Sequence, residues 1–159
     1  MKASGNFEAV CEVDPLAVLS EHSILGRTQQ PGAAFDGLAF DRGVQVALSA
    51  DGELGVLSTL FSARTLGLTG ELSPTAQADY LSGLMIGHEL AALATVQRRR
   101  RNNPNLPSII LIGNAQLCAR YSRALEACGF ANVTLAEQAT ERGLWQLALA
   151  AGLIDSSSR

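Results

Sequence analysis

The sequence predicts a helix-rich α/β fold with few parallel strands, and three patterns carry that expectation. Ser108-Ile109-Ile110-Leu111-Ile112 is a short apolar, β-branched run that stops at Gly113-Asn114, where a helical period begins at once. Such a run suits a buried parallel strand. A second short apolar stretch, Val133 to Leu135, follows that helical period. The first hundred residues, by contrast, carry only helical spacing.

The elements follow in order. Asp14-Pro15 sets a capping residue before a proline at the first helical position, and Leu16, Leu19 and Ser23 share a stripe up to Gly26. Gln29-Gln30-Pro31-Gly32 reads as a turn. Phe40, Val44, Ala47 and Leu48 have the spacing of a second helix, which Asp51-Gly52 is expected to break. Leu54, Leu57 and Phe61 mark a third, ending near Gly67 or Gly70. Ser73-Pro74 opens the longest helix, to about Gln97, whose inner face is predicted to carry Leu81, Leu84, Met85, His88, Ala91 and Ala92.

Gly83 and Gly87 sit one turn apart in that helix. Each costs about 1 kcal/mol against alanine in a helix interior. The pair therefore serves close packing or ligand access, with packing the simpler account. Arg98 to Arg101 suit the negative end of the helix dipole, and a solvated helix end explains them better than a binding patch. Asn102 to Pro107 reads as a loop.

After the 108–112 strand, Leu117, Tyr121, Ala124, Leu125 and Cys128 follow helical offsets, with Cys118 beside the stripe and Gly129 placed to end the helix. Cys128 on that stripe reads as core, not nucleophile. Thr140 to Ala151 is the final helix, with Leu144, Leu147, Ala148, Ala151 and Trp145 expected inward. The domain reading is an N-terminal segment 1–14, one domain over 15–153 and a frayed tail over 154–159.

Composition excludes several classes. The 159 residues suffice for one domain with a real core. A formal charge of −3 and 5% aromatic residues argue against a nucleic-acid partner. The three cysteines, at 11, 118 and 128, show neither zinc nor redox spacing, and a reducing cytoplasm is the expected location. No apolar run of about 18 residues exists for a membrane span, and no signal peptide is read at the start. His22 and His88 have no partner spacing for a triad or a metal, and Asp36, Asp41 and Asp79 read as helix-surface charges.

The corner at Gly113 and Asn114 is where an α/β sheet docks nucleotides and phosphates. Glycine permits a tight turn and close ligand approach, and Asn114 is placed to cap the following helix. Every βα unit needs such a corner, so a purely structural role stands beside the binding one.

Four segments add a family resemblance. Leu16-Ala17-Val18-Leu19-Ser20-Glu21-His22-Ser23-Ile24-Leu25-Gly26, Phe35-Asp36-Gly37-Leu38-Ala39-Phe40-Asp41-Arg42-Gly43, Tyr80-Leu81-Ser82-Gly83-Leu84-Met85-Ile86-Gly87-His88-Glu89-Leu90 and Ile110-Leu111-Ile112-Gly113-Asn114 occur in that order. With Cys118-Ala119-Arg120-Tyr121 continuing the last, they resemble the carboxy-terminal half of 2-keto-3-deoxygalactonate kinases over about residues 16–151.

The resemblance implies a partial ribonuclease-H-like second domain of the sugar-kinase, heat-shock-chaperone and actin superfamily. It also implies a kinase that phosphorylates 2-dehydro-3-deoxy-D-galactonate at the 6-hydroxyl with ATP and magnesium, in galactonate catabolism. By the same resemblance Gly113, Asn114 and Ala115 look like the adenosine motif. Gly87 and Glu89 look like the second signature, with Glu89 facing the interdomain cleft. Asn114 stands where the family is expected to carry a small Ser or Thr.

The phosphate hairpin of the Asp-Trp-Gly-Thr-Thr-Asn type and the second phosphate motif that the family implies do not occur in these residues. Gly52-Glu53-Leu54-Gly55 and Gly67-Leu68-Thr69-Gly70 precede no Lys-Ser/Thr pair and replace neither. The chain thus reads as a truncated product or expressed fragment. It is expected to be inactive alone, to bind nucleotide weakly or not at all, and to have no catalytic or metal-ligating residue of its own. The alternatives are a non-catalytic nucleotide-binding or assembly module, or an unrelated α/β binder of a phosphate-bearing ligand. A two-stranded parallel sheet leaves open edges. A homodimer or higher oligomer, or the missing amino-terminal half, is therefore expected against residues 81–92 and 109–112.

Overall fold

A computed structural model describes residues 15–30, 32, 34–100 and 108–154. The helices are α1 (Pro15–His22), α2 (Gly37–Leu48), α3 (Ala50–Glu53), α4 (Val56–Thr59), α5 (Ser62–Leu68), α6 (Gln77–Arg100), α7 (Ala115–Ala127) and α8 (Ala139–Ala150), with strands β1 (Ile109–Leu111) and β2 (Val133–Leu135) flanking α7. A 3₁₀ turn, Gly26–Thr28, follows α1. The expected helix-rich α/β class is what the structure has. The chain separates into two compact units, residues 1–85 and 86–159, each described below by itself.

The first unit is helical. Pro15 opens α1 as expected, while its predicted cap, Asp14, lies outside the described residues. Asp36 caps α2 by accepting the N–H groups of Leu38 and Ala39. The predicted face of α2 is inward: Phe40, Val44 and Ala47 are buried. Against it lies the first half of α6, where Tyr80, Leu81 and Leu84 are fully buried. Each large apolar side chain removed from water in this way contributes about 1.5–3 kcal/mol.

Gly83 explains how close the two helices come. A Cβ there would lie 2.0 Å from the Phe40 carbonyl oxygen, and one on Gly43 would lie 2.2 Å from that of Tyr80. The backbones touch where both helices lack side chains. Packing, not ligand access, accounts for Gly83.

Three expectations in this unit are corrected. Asp51-Gly52 does not break a helix; α2 stops at Ser49, and both residues lie inside α3. The continuous helix through Leu54, Leu57 and Phe61 is instead α4 and α5, separated at Leu60 and Phe61 and preceded by Gly55 at φ +96°. Its stripe faces outward, since Leu57 is 82% exposed, while Thr59 and Ala63 turn in. Asp79 is no surface charge: it is buried and accepts the backbone N–H of Asp36 at 2.8 Å.

In the second unit β1 and β2 pair in parallel, with Ile109 opposite Val133, Ile110 opposite Thr134 and Leu111 opposite Leu135. Alpha-helix α7 makes the crossover, and its Cys118, Ala124 and Leu125 are buried. Its end forms a Schellman turn. Gly129 adopts φ +84° and donates to the Glu126 carbonyl, while Phe130 donates to that of Leu125. Phe130 and Leu125 are both buried, the apolar contact that accompanies such a turn.

Several inward faces are corrected here too. The β1 run is not buried on both sides: Ile110 and Ile112 are each 62% exposed. Cys118 takes the buried position expected for Leu117, which is exposed. On α8, Leu144, Trp145 and Leu147 face out, as does Ala151 just past its end, while Ala139, Ala148 and Leu149 are half-buried. The surface expected over residues 81–92 is largely interior, with Leu81, Leu84, Ile86 and Leu90 buried. The 102–107 loop and all of the tail but Ile154 lie outside the described residues. No helix among the described residues is long and apolar enough to cross a membrane.

Candidate functional site

The sequence-predicted site residues all lie in the second unit, but not in one cluster. Gly113, Asn114 and Ala115 form the corner between β1 and α7. Asn114 has extended backbone, φ −69° and ψ 154°, and its side-chain oxygen accepts the Leu117 N–H at 2.8 Å. Its carbonyl accepts the first helical bond, from Cys118 at 3.0 Å. It is the N-cap that the sequence predicts. Ala115 and Gln116 follow in an exposed first turn, at the helix end that carries partial positive charge.

Gly113 differs from expectation in detail. Its backbone is not in the left-handed region, and a Cβ there would meet Cys118 Sγ at 3.5 Å, an ordinary contact. The turn itself does not demand glycine. What glycine contributes is an uncovered backbone at an exposed position.

Glu89 meets α7 elsewhere. Its carboxylate accepts the hydroxyl of Tyr121, both side chains being half-buried. A phenol bonded to a carboxylate is charge-assisted, and such bonds contribute about 1.5–3 kcal/mol. Tyr121 lies six residues beyond Ala115, about 9 Å along the helix axis at 1.5 Å per residue. The bond therefore joins Glu89 to the second turn of α7, not to the corner. Gly87 is buried on α6, two residues before Glu89.

Sequence reasoning placed Tyr121 on an apolar stripe and missed this pairing. The signal was present in chemistry: a half-buried tyrosine hydroxyl needs a partner.

Beside Glu89, burial lowers the pKa of His88. At the C-cap of α7, burial raises that of the Cys128 thiol; the side chain is half-buried, not in the core expected for it. Among the described residues no three His, Cys, Asp or Glu side chains converge as a metal site. In the first unit a shallow open depression of about 310 Å³ lies at the end of α1, with His22, Ser23 and Arg27 in its lining. Ser23 is already committed there, donating to the Leu19 carbonyl and accepting the Leu25 N–H.

Comparison with known proteins adds two findings. The family model described as 2-keto-3-deoxy-galactonokinase matches residues 6–147, beginning inside the segment that sequence reading left unmatched. A 2-dehydro-3-deoxygalactonokinase of Escherichia coli (strain K12) is 29% identical over 112 residues, 70% of this chain and 35% of that protein. The aligned part thus spans about a third of that relative's length.

Proposed function

The chain belongs to the 2-keto-3-deoxygalactonokinase family, and from that premise we propose that it carries the adenosine-side part of an ATP-dependent sugar-acid kinase. The family match over residues 6–147 is the observation that carries this reading. The whole kinase would transfer phosphate to the 6-hydroxyl of 2-dehydro-3-deoxy-D-galactonate, in a ribonuclease-H-like two-lobed fold.

The corner suits the adenosine side because Gly113 is exposed backbone without a side chain, which leaves room for a close approach. Among the described residues no three His, Cys, Asp or Glu side chains come together as a metal site, and the metal and triphosphate are assigned to the rest of the kinase. Phosphoryl transfer depends on metal-bridged phosphates and a positioned acceptor hydroxyl, so the 159 residues by themselves should not turn over.

The test supplies the complementary part of a family kinase in trans and measures ADP release. Release that depends on both parts and on 2-dehydro-3-deoxy-D-galactonate is expected. Turnover of about 1–1,000 per second by these residues alone, with host kinase excluded, would overturn the assignment. ADP titrated by NMR should shift residues 112–118 in the millimolar range, near −4 kcal/mol. Gly113→Val should abolish those shifts while the chain stays folded. Shifts elsewhere and none at 112–118 would make the corner purely structural.

A further inference from the structure

We propose that Tyr121 and Glu89 act as positioning residues for the corner, fixing the rotation of α7 and hence the direction in which its capped first turn is presented. The proposal rests on the nucleotide reading above, and it gives Glu89 a role through α7, not on the ligand.

On its strand side the corner is anchored through Leu111, which pairs with Leu135 and accepts the Ala136 N–H. On its helix side Ile112, Gly113, Asn114, Ala115, Gln116 and Leu117 are all exposed, so packing orients the first turn only weakly. Its orientation is inherited from deeper in the helix. Cys118, Ala124 and Leu125 press one side of α7 into the unit, and apolar burial of that kind fixes position more firmly than rotation about the helix axis.

The Tyr121 hydroxyl, at the end of a rigid ring, is bonded to Glu89 on α6. Tyr121 follows Asn114 by seven residues. At 3.6 residues per turn, seven residues return to within about 20° of the same angular position. Holding Tyr121 therefore holds the angle of the cap, with Asn114 two turns above it on nearly the same line. The bond is directional, because a phenol donates along one O–H axis. Burial alone is not.

The experiment uses the full chain and ADP as probe, with Tyr121→Phe, Glu89→Ala, Glu89→Gln and the Tyr121→Phe/Glu89→Ala double variant. Two readouts are taken: ADP affinity from shifts at residues 112–118, and amide hydrogen exchange at Leu117 and Cys118 against Phe130 at the far end of α7. Tyr121→Phe should weaken ADP by up to about tenfold, because only the part of the lost intramolecular bond that favours the positioned turn reaches the ligand. It should speed exchange at Leu117 and Cys118 more than at Phe130. Glu89→Ala should match it, the double variant should be no worse than either single one, and Glu89→Gln, which keeps a neutral acceptor, should recover part of the loss.

A double variant clearly weaker than Tyr121→Phe would mean that Glu89 touches the nucleotide itself, and would overturn the proposal. So would unchanged exchange at Leu117 and Cys118 in Tyr121→Phe, whatever the affinity. Failure of the unsubstituted chain to bind ADP would instead refute the nucleotide reading. Exchange at Leu117 and Cys118 separates the two failures, because it is read without ligand.

Discussion

At His88 the protein favours an uncharged imidazole, because burial penalises the cation. The folded pKa then lies below the unfolded value near 6.5, so the unfolded chain takes up the proton first. Stability from this residue is fully present above pH 6.5 and is lost as pH falls through the lower folded pKa. Urea midpoints measured from pH 7.5 to 5.5 should fall, and His88→Gln should flatten that slope. An identical slope in the variant would place the sensitivity elsewhere. Single residues differ in how far the sequence revealed them. Asn114 was legible as a cap because capping is local, a side chain reaching three residues on. The Glu89–Tyr121 bond was not, since its partners stand 32 residues apart and no short-range pattern links them.

Between elements, the contact of α2 with α6 at Gly43 and Gly83 gives the sharpest test of packing. Gly83→Ala puts a methyl against backbone that must move, at a cost of about 1–3 kcal/mol for overpacking. Gly143 on α8 is the control: nothing lies within 4 Å of a Cβ there. Gly143→Ala should stabilise by about 0.4–1 kcal/mol through reduced chain entropy. Thermal or urea unfolding of the two variants should therefore move in opposite directions, and parallel shifts would contradict the close contact. Helical periods located α2, α6 and α7, but on α6 the predicted face holds only in part: Ala92 is exposed, while Ile86 and Leu90, off that face, are buried. They failed on inwardness at Leu57 and Leu144, where the period is real but the side chains face solvent. A stripe states that residues share a face; it does not state what lies opposite. Asp79 failed for a related reason, its buried acceptor role being set by Asp36, 43 residues away.

For the whole chain, the outward Ile110, Ile112, Leu144, Trp145 and Leu147 give the second unit apolar surface, beside a sheet that has two strands among the described residues. Such surface favours association, and we expect a homodimer or higher oligomer. Light scattering at micromolar concentration should report a mass above the 16.7 kDa of one chain. Ile110→Lys with Leu147→Lys should lower it. A stable monomer across dilution would refute association.

The Schellman turn at Gly129 and Phe130 also sets how much sequence change the second unit tolerates. It pins the end of α7 two residues before β2 begins, so the link has no slack to absorb an insertion. One residue added between Phe130 and Val133 would advance β2 by one position against β1. Strand side chains alternate with a period of two, so Val133, Thr134 and Leu135 would all exchange faces. Single-residue insertions at 131–132 should thus be far more damaging than insertions in an unpinned surface loop, and two-residue insertions less so, since they restore the alternation.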